Sequence, residues 1–104
     1  MRMLVLANYA PHAIKGIMQG SDREAAIRTL LESVGGKLEH TMLTRGAYDI
    51  AAVATVPDQA AGLGIVMAIR ASGSLSEVVV LEELDPKPII AAANTAAKAY
   101  QPAG

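Results

Sequence analysis

Tyr48 and Asp49 stand side by side, and a phenol next to a carboxylate is a candidate acid–base pair. Neighbouring residues on an extended strand, however, point to opposite faces and cannot converge on one substrate. Turn chemistry accounts for both residues without catalysis. Asp49 would bind turn amides or Arg45, and Tyr48 would fill the sheet face with its hydroxyl at the rim. That structural role is the expected one. Asn8, Tyr9, His12 and Lys15 cluster at the end of the first apolar run and in the segment after it. Polar groups at strand ends often line a pocket mouth, with a plain loop as the alternative. His40 lies between Leu38 and Met42. An imidazole there is either a satisfied core group or, facing a pocket beside Tyr9 or Tyr48, the best general base in the chain. The candidate ligand-binding set is therefore Asn8, Tyr9, His12, Lys15, His40 and Tyr48, with His40 and His12 as the catalytic candidates.

Several chemistries are disfavoured. Cysteine is absent, so there is no thiolate nucleophile, disulfide or Cys-bound metal. The two histidines, His12 and His40, form no H-x-x-x-H or H-x-E pairing, and no metal site is expected. No cofactor is implied, although a single histidine suffices as an axial ligand and leaves haem open. Gly62-x-Gly64 lacks the third glycine of a nucleotide loop, and there is no G-x-S-x-G elbow. Net charge is −1, with no basic stripe and no alternation of tyrosine with arginine, which argues against nucleic acid as a partner. No apolar run reaches the ~18 residues that would span a membrane. The opening MRMLVLANYA is too short for a signal h-region and reads as the first strand of a cytoplasmic protein.

The elements that must position these residues follow from periodicity. Residues 2–9 are apolar on both faces, as in a central strand. Residues 11–20, bounded by Pro and Gly, read as a loop with at most one helical turn at Ala13–Met18. Ser21 and Glu24 form a capping box, and Ile27, Leu30, Leu31 and Val34 follow at helical spacing. Arg23, Arg28 and Glu32 then face water, and Gly35-Gly36 ends the helix. In residues 37–44, Leu38, His40 and Met42 share one strand face and Lys37, Glu39 and Thr41 the other. A turn with Gly46 at positive φ leads to a second strand at 48–56. Pro57-Asp58 opens a helix whose stretch from Ala60 to Ile69 carries no charged or polar side chain, with Pro57 suited to its first turn. Gly62 and Gly64 inside it suggest close approach on more than one side. RASGS, residues 70–74, ends that helix. Residues 75–84 form a fourth strand, broken by Pro86-Lys87-Pro88. An alanine-rich helix follows from about 88 to 100, with Ile90, Ala93, Ala97 and Tyr100 on one face.

The order β-α-β-β-α-β plus a C-terminal helix predicts a single α+β domain over 1–104, of ferredoxin-like type, with a core at about 2–85. Two helices cover only one face of a four-stranded sheet. The other face is apolar as well, and 52% of the chain is hydrophobic. A domain of this size buries only roughly two thirds of its unfolded surface alone. A second copy of the sheet is the simplest cover, giving a homodimer or larger homo-oligomer.

The pattern resembles the GYD-domain family. The resemblance is carried by Asn8-Tyr9, Ile14-Lys15, Gly35-Gly36-Lys37-Leu38, Thr44, Gly46-Ala47-Tyr48-Asp49-Ile50, Pro57-Asp58 and Gly73, and spans about residues 3 to 85. It implies a dimeric α/β barrel and little about activity. The second helix departs from the family in being apolar throughout, where charges are usual, which hints at a larger assembly or a lipid-like ligand. Three functions remain: binding of a small apolar or aromatic molecule between sheet and helices; a cofactor-independent oxygenase or isomerase of the dimeric α/β-barrel type; or a structural adaptor oligomer without a ligand.

Overall fold

The computed structural model describes residues 1–103. The elements run β1 (Arg2–Tyr9), α1 (Pro11–Met18), α2 (Arg23–Ser33), β2 (Lys37–Leu43), β3 (Ile50–Thr55), α3 (Gln59–Ser72), β4 (Leu75–Glu82) and α4 (Pro86–Ala99). One antiparallel sheet has the order β2-β3-β1-β4, with the doubly apolar β1 in its interior. This is the ferredoxin-like arrangement expected from the element order.

Alternation along the strands sorts the sheet into two faces. Met3, Val5, Ala7 and Tyr9 of β1 pair with or lie beside Ala54, Ala52 and Ile50 of β3 on the face covered by α2 and α3. Leu4 and Leu6 register with Val53 and Ala51, and with Leu81 and Val79, on the opposite, open face. The core beneath the helices is built on Met3, Leu31, Leu38, Ala54, Val56 and Ile65.

Local chemistry differs from the sequence expectation at five points. Residues 11–18 form a full two-turn helix rather than a loop, because Pro11 occupies the first turn, where its missing N–H costs nothing. Helix α2 is capped by Asp22, whose carboxylate accepts from the Ala25 amide at 3.0 Å, and not by Ser21. The Ser21 amide instead donates to the Gly16 carbonyl and closes α1. At β2 the register shifts between Leu38 and His40, which makes Glu39 the extra residue of a bulge. Leu38 therefore pairs with Ala54 on the helix face while His40 pairs with Val53 on the open face, so the two do not share a side. Pro57 precedes α3, and Asp58 caps it by accepting from the Ala61 amide at 2.8 Å. Finally, the fourth strand ends before Pro86 as expected, but Pro86 and Pro88 lie in the first turn of α4, capped by Asp85, so the helix starts at Pro86 rather than at about 88.

The stop after α2 is as expected and can be followed bond by bond. The Gly36 amide donates to the Leu31 carbonyl at 2.8 Å and the Gly35 amide to that of Glu32 at 3.0 Å, with Gly35 at φ 78°. Gly36 must be small for a second reason: a Cβ there would stand 3.0 Å from the Thr55 carbonyl oxygen. Helix α4 behaves differently from the rest. None of its residues is buried, and it projects from a body whose longest dimension becomes 60 Å.

Candidate functional site

The end of β1 and the start of β3 are tied by a reciprocal clamp. The Asp49 carboxylate accepts from the Tyr9 amide at 3.0 Å, and the Asn8 side-chain carbonyl accepts from the Asp49 amide at 3.0 Å. Asn8 also donates through Nδ2 to the Ala47 carbonyl at 3.1 Å and to Glu77 at 3.3 Å. The Thr44 hydroxyl donates to the Tyr48 carbonyl, and the Thr44 amide to the Asp49 carbonyl at 2.8 Å. Gly46, at φ 132°, lets the chain turn between them. Asp49 thus binds the amide of a neighbouring strand rather than a turn amide or Arg45. Tyr48 and Asp49 precede the strand that begins at Ile50. The clamp orients Tyr9 towards the helices.

Tyr9 lines a cavity of about 310 Å³ between the sheet and helices α2 and α3. The cavity exists because the floor and walls are paved with small side chains: Ala7, Ala52 and Ala54 below, Ala26 and Ala68 at the sides. Larger residues would fill such a space at native packing density. Ile27, Leu30, Ile65, Ile69 and Leu75 complete an almost wholly apolar lining, and the polar contributors are Tyr9, Arg23, Ser72 and Ser74. Tyr9 is 9% exposed, and its hydroxyl is buried without a hydrogen-bond partner. Burial pushes the Tyr9 phenol above its ordinary value; the Arg23 cation pulls it back down, and the Asp49 carboxylate adds to the rise. The hydroxyl is therefore a neutral, unpaired donor enclosed by the surrounding side chains.

A second cavity of about 250 Å³ shares Tyr9, Arg23 and Ile50 with the first and is lined further by the polar Ser21, Asp22, Glu24 and Thr41 and the apolar Ile17, Met42 and Leu43. The two meet at the N-terminus of α2. Arg23, expected on the water side of that helix, is half-buried at this junction. The bonds holding the first turn of α2 put it there: Asp22 caps the helix and leaves Arg23 as its first residue.

Of the six residues singled out from sequence, the cavity takes Tyr9. Asn8 is engaged in the clamp beside it. His12 and Lys15 lie exposed on α1, His40 lies exposed on the open sheet face, and Tyr48 is half-buried in the turn. None of these four lines either cavity, and the two histidines do not meet a tyrosine hydroxyl there. Among the described residues no group of three or more His, Asp or Glu converges as metal ligands would, and no helix is long and apolar enough to cross a membrane.

Comparison with known proteins agrees with this architecture. The GYD domain family model matches residues 3–93. The crystal structure of a hypothetical protein from Pyrococcus horikoshii superposes with a TM-score of 0.51, at 13% identity, over 81% of this chain and 90% of that one. At that identity the likeness concerns the fold. No curated protein matches the chain. The chain belongs to the GYD domain family.

Proposed function

We propose that this GYD domain binds a small apolar or aromatic molecule in the cavity between its sheet and helices α2 and α3. The observation that carries this reading is the cavity itself, about 310 Å³ with an almost wholly apolar lining, left open by alanines where larger side chains would fill it. The volume sits at the small end of ordinary ligand pockets. Binding without turnover is favoured because no imidazole, carboxylate or lysine ammonium lines the apolar cavity to move a proton.

The same reading includes self-association through the open sheet face. Leu4, Leu6, Val53, Val79 and Leu81 are brought together there, and Leu81 is 50% exposed. An apolar sheet face of this kind is ordinarily covered, and a second copy of the same face is self-complementary about a two-fold axis. Native mass spectrometry of freshly purified protein tests both parts. The expected result is an even-numbered oligomer carrying one added small mass per chain, lost in Ala52→Leu, which fills the cavity floor. A monomer would refute the self-association. Added mass that survives Ala52→Leu would place the ligand elsewhere.

A further inference from the structure

The open sheet face carries one ionisable side chain in its middle. Strand register lays that face out in rows that cross the sheet. His40, Val53, Leu4 and Leu81 stand opposite one another on β2, β3, β1 and β4, and Ala51, Leu6 and Val79 form the next row on β3, β1 and β4. Both rows are apolar except at His40, which is exposed. The rows outside them are polar. At one end Lys37, Thr55 and Arg2 stand in register. Glu39 and Glu83 pair with Arg2 there at 3.1 and 3.2 Å, and Glu39 also accepts from the Thr55 hydroxyl at 2.8 Å. At the other end Asn8 stands opposite Glu77 and donates to it at 3.3 Å. An apolar centre framed by polar ends is the anatomy of an interface. The order polar, apolar, apolar, polar reads the same from either end, so a copy turned about a two-fold axis lays apolar rows on apolar rows. Arg2, Glu39 and Glu83 are already paired within the chain, which favours that second copy over a strongly charged partner.

An imidazole changes charge between pH 5 and 8. Covered by another protein surface, a neutral ring loses little, whereas an imidazolium loses its water and needs a counter-charge. The carboxylates on this face are committed elsewhere. No ion pair among the described residues involves His40. Its chain neighbour Glu39 is engaged by the Thr55 hydroxyl and Arg2, which hold that carboxyl below its ordinary range. Glu83 shares Arg2, Lys37 would repel, and Glu77 lies two rows away beside Asn8. Helices α2 and α3 cover the other face and bring no charge to this one. Whichever way the two-fold axis runs, the inner rows that His40 can meet on the other copy are apolar apart from His40 itself, and two imidazolium ions repel. The geometry points to His40 as a proton switch on self-association: the neutral ring lets two sheet faces stack, and protonation separates them. This rests on the reading of the open face as a self-association surface and assigns that surface its control. The contact is small, which makes one charge per copy decisive. Strands ~4.8 Å apart and same-face side chains ~6.8 Å apart give a flat footprint of roughly 500 Å² per copy, against about 800 Å² in a standard interface.

Sedimentation equilibrium of the full chain at about pH 7.5 and about pH 5.5, at one ionic strength, tests it. The dimer dissociation constant is expected to rise about tenfold or more at the lower pH, because the separate copies bind protons that the pair excludes. His40→Gln should associate equally at both values, and His40→Leu should do so at least as tightly as the wild type at the higher one. His12→Gln, which changes the histidine on α1, should keep the full dependence. Leu6→Glu, in the centre of the inner rows, should be monomeric at both. Urea midpoints at both values confirm that each variant is folded. If the dissociation constant is the same at both values, or if its change survives in His40→Gln and His40→Leu, the switch is wrong and the self-association reading stands. If the wild type is monomeric at both, or dimers persist in Leu6→Glu, the open face is not the contact and both conclusions fall.

Discussion

Tyr9 places a hydroxyl where no protein group meets it, and that makes its removal informative. In ligand-free protein, Tyr9→Phe deletes an unpaired buried dipole and keeps the ring. Stability should stay level or rise by about 1 kcal/mol, read from the urea midpoint. A loss of that size would mean the hydroxyl is bonded within the fold. The raised phenol pKa has a sign that can be checked in the same experiment. Below the ordinary tyrosine value both folded and unfolded states carry a neutral phenol, and stability is complete. Above it the unfolded chain ionises first, so stability falls with rising pH until the folded-state value is passed. Tyr9→Phe should show a shallower alkaline loss than the wild type. Asp49 is the opposite case: its carboxylate is the partner of the Tyr9 amide, and Asp49→Ala should cost about 1.5–3 kcal/mol by thermal or urea unfolding. At this scale the sequence discloses roles unevenly. Tyr9 is legible as a site residue from its place at a strand end, and Asp49 as a structural residue, though its partner lies 40 positions away. Arg23 reads as solvent-facing because helical periodicity assigns a face but cannot show that two cavities meet at the helix's first residue.

At the scale of elements, the strong periodic segments are legible and the exceptions are single residues. The pattern of α2 and its double-glycine stop can be read directly, since apolar spacing and left-handed glycine act locally. The face of β2 cannot, because one bulge residue at Glu39 reverses everything after it. The bulge is held by the Glu39 carboxylate, which accepts from the Thr55 hydroxyl at 2.8 Å and pairs with Arg2 at 3.1 Å. These contacts cross strands and leave no mark in the local alternation. Pro11 is misread for a local reason: a proline breaks a helix interior but suits its first turn. Two glycines give contrasting predictions. Gly64 lies inside α3 with open space where a Cβ would stand, so Gly64→Ala should stabilise the chain by about 1 kcal/mol through helix propensity. Gly36→Ala would push a methyl against the carbonyl oxygens of Thr55 and Leu31, at 3.0 and 3.1 Å, and should destabilise by about 1–3 kcal/mol. Equal midpoints for the two variants would contradict this account of the backbone.

On the scale of the whole molecule, the distribution of burial is lopsided. Among the described residues, all the buried ones lie before the end of α3, and α4 contributes none. The radius of gyration is 17.8 Å, against about 13 Å for a compact chain of 100 residues. The excess belongs to the projecting helix. Its exposed Ile89, Ile90 and Tyr100 add apolar surface to that of the open sheet face and of Leu63 and Met67 on α3. The sequence already carries this imbalance, in a hydrophobic share larger than one small domain hides, but it cannot say which surfaces remain uncovered. An isolated helix of this length is marginal in water. A helix with no buried residue contributes little to its domain's cooperative unfolding. Ending the chain at Asp85 should therefore leave the melting temperature within about 2 °C of the full-length protein, since a shift of that size corresponds to well under 1 kcal/mol here. The comparison is made by calorimetry at low and high protein concentration. A drop confined to high concentration would show that α4 packs on another copy, and a drop at every concentration would show that it packs on its own domain, against the burial described here.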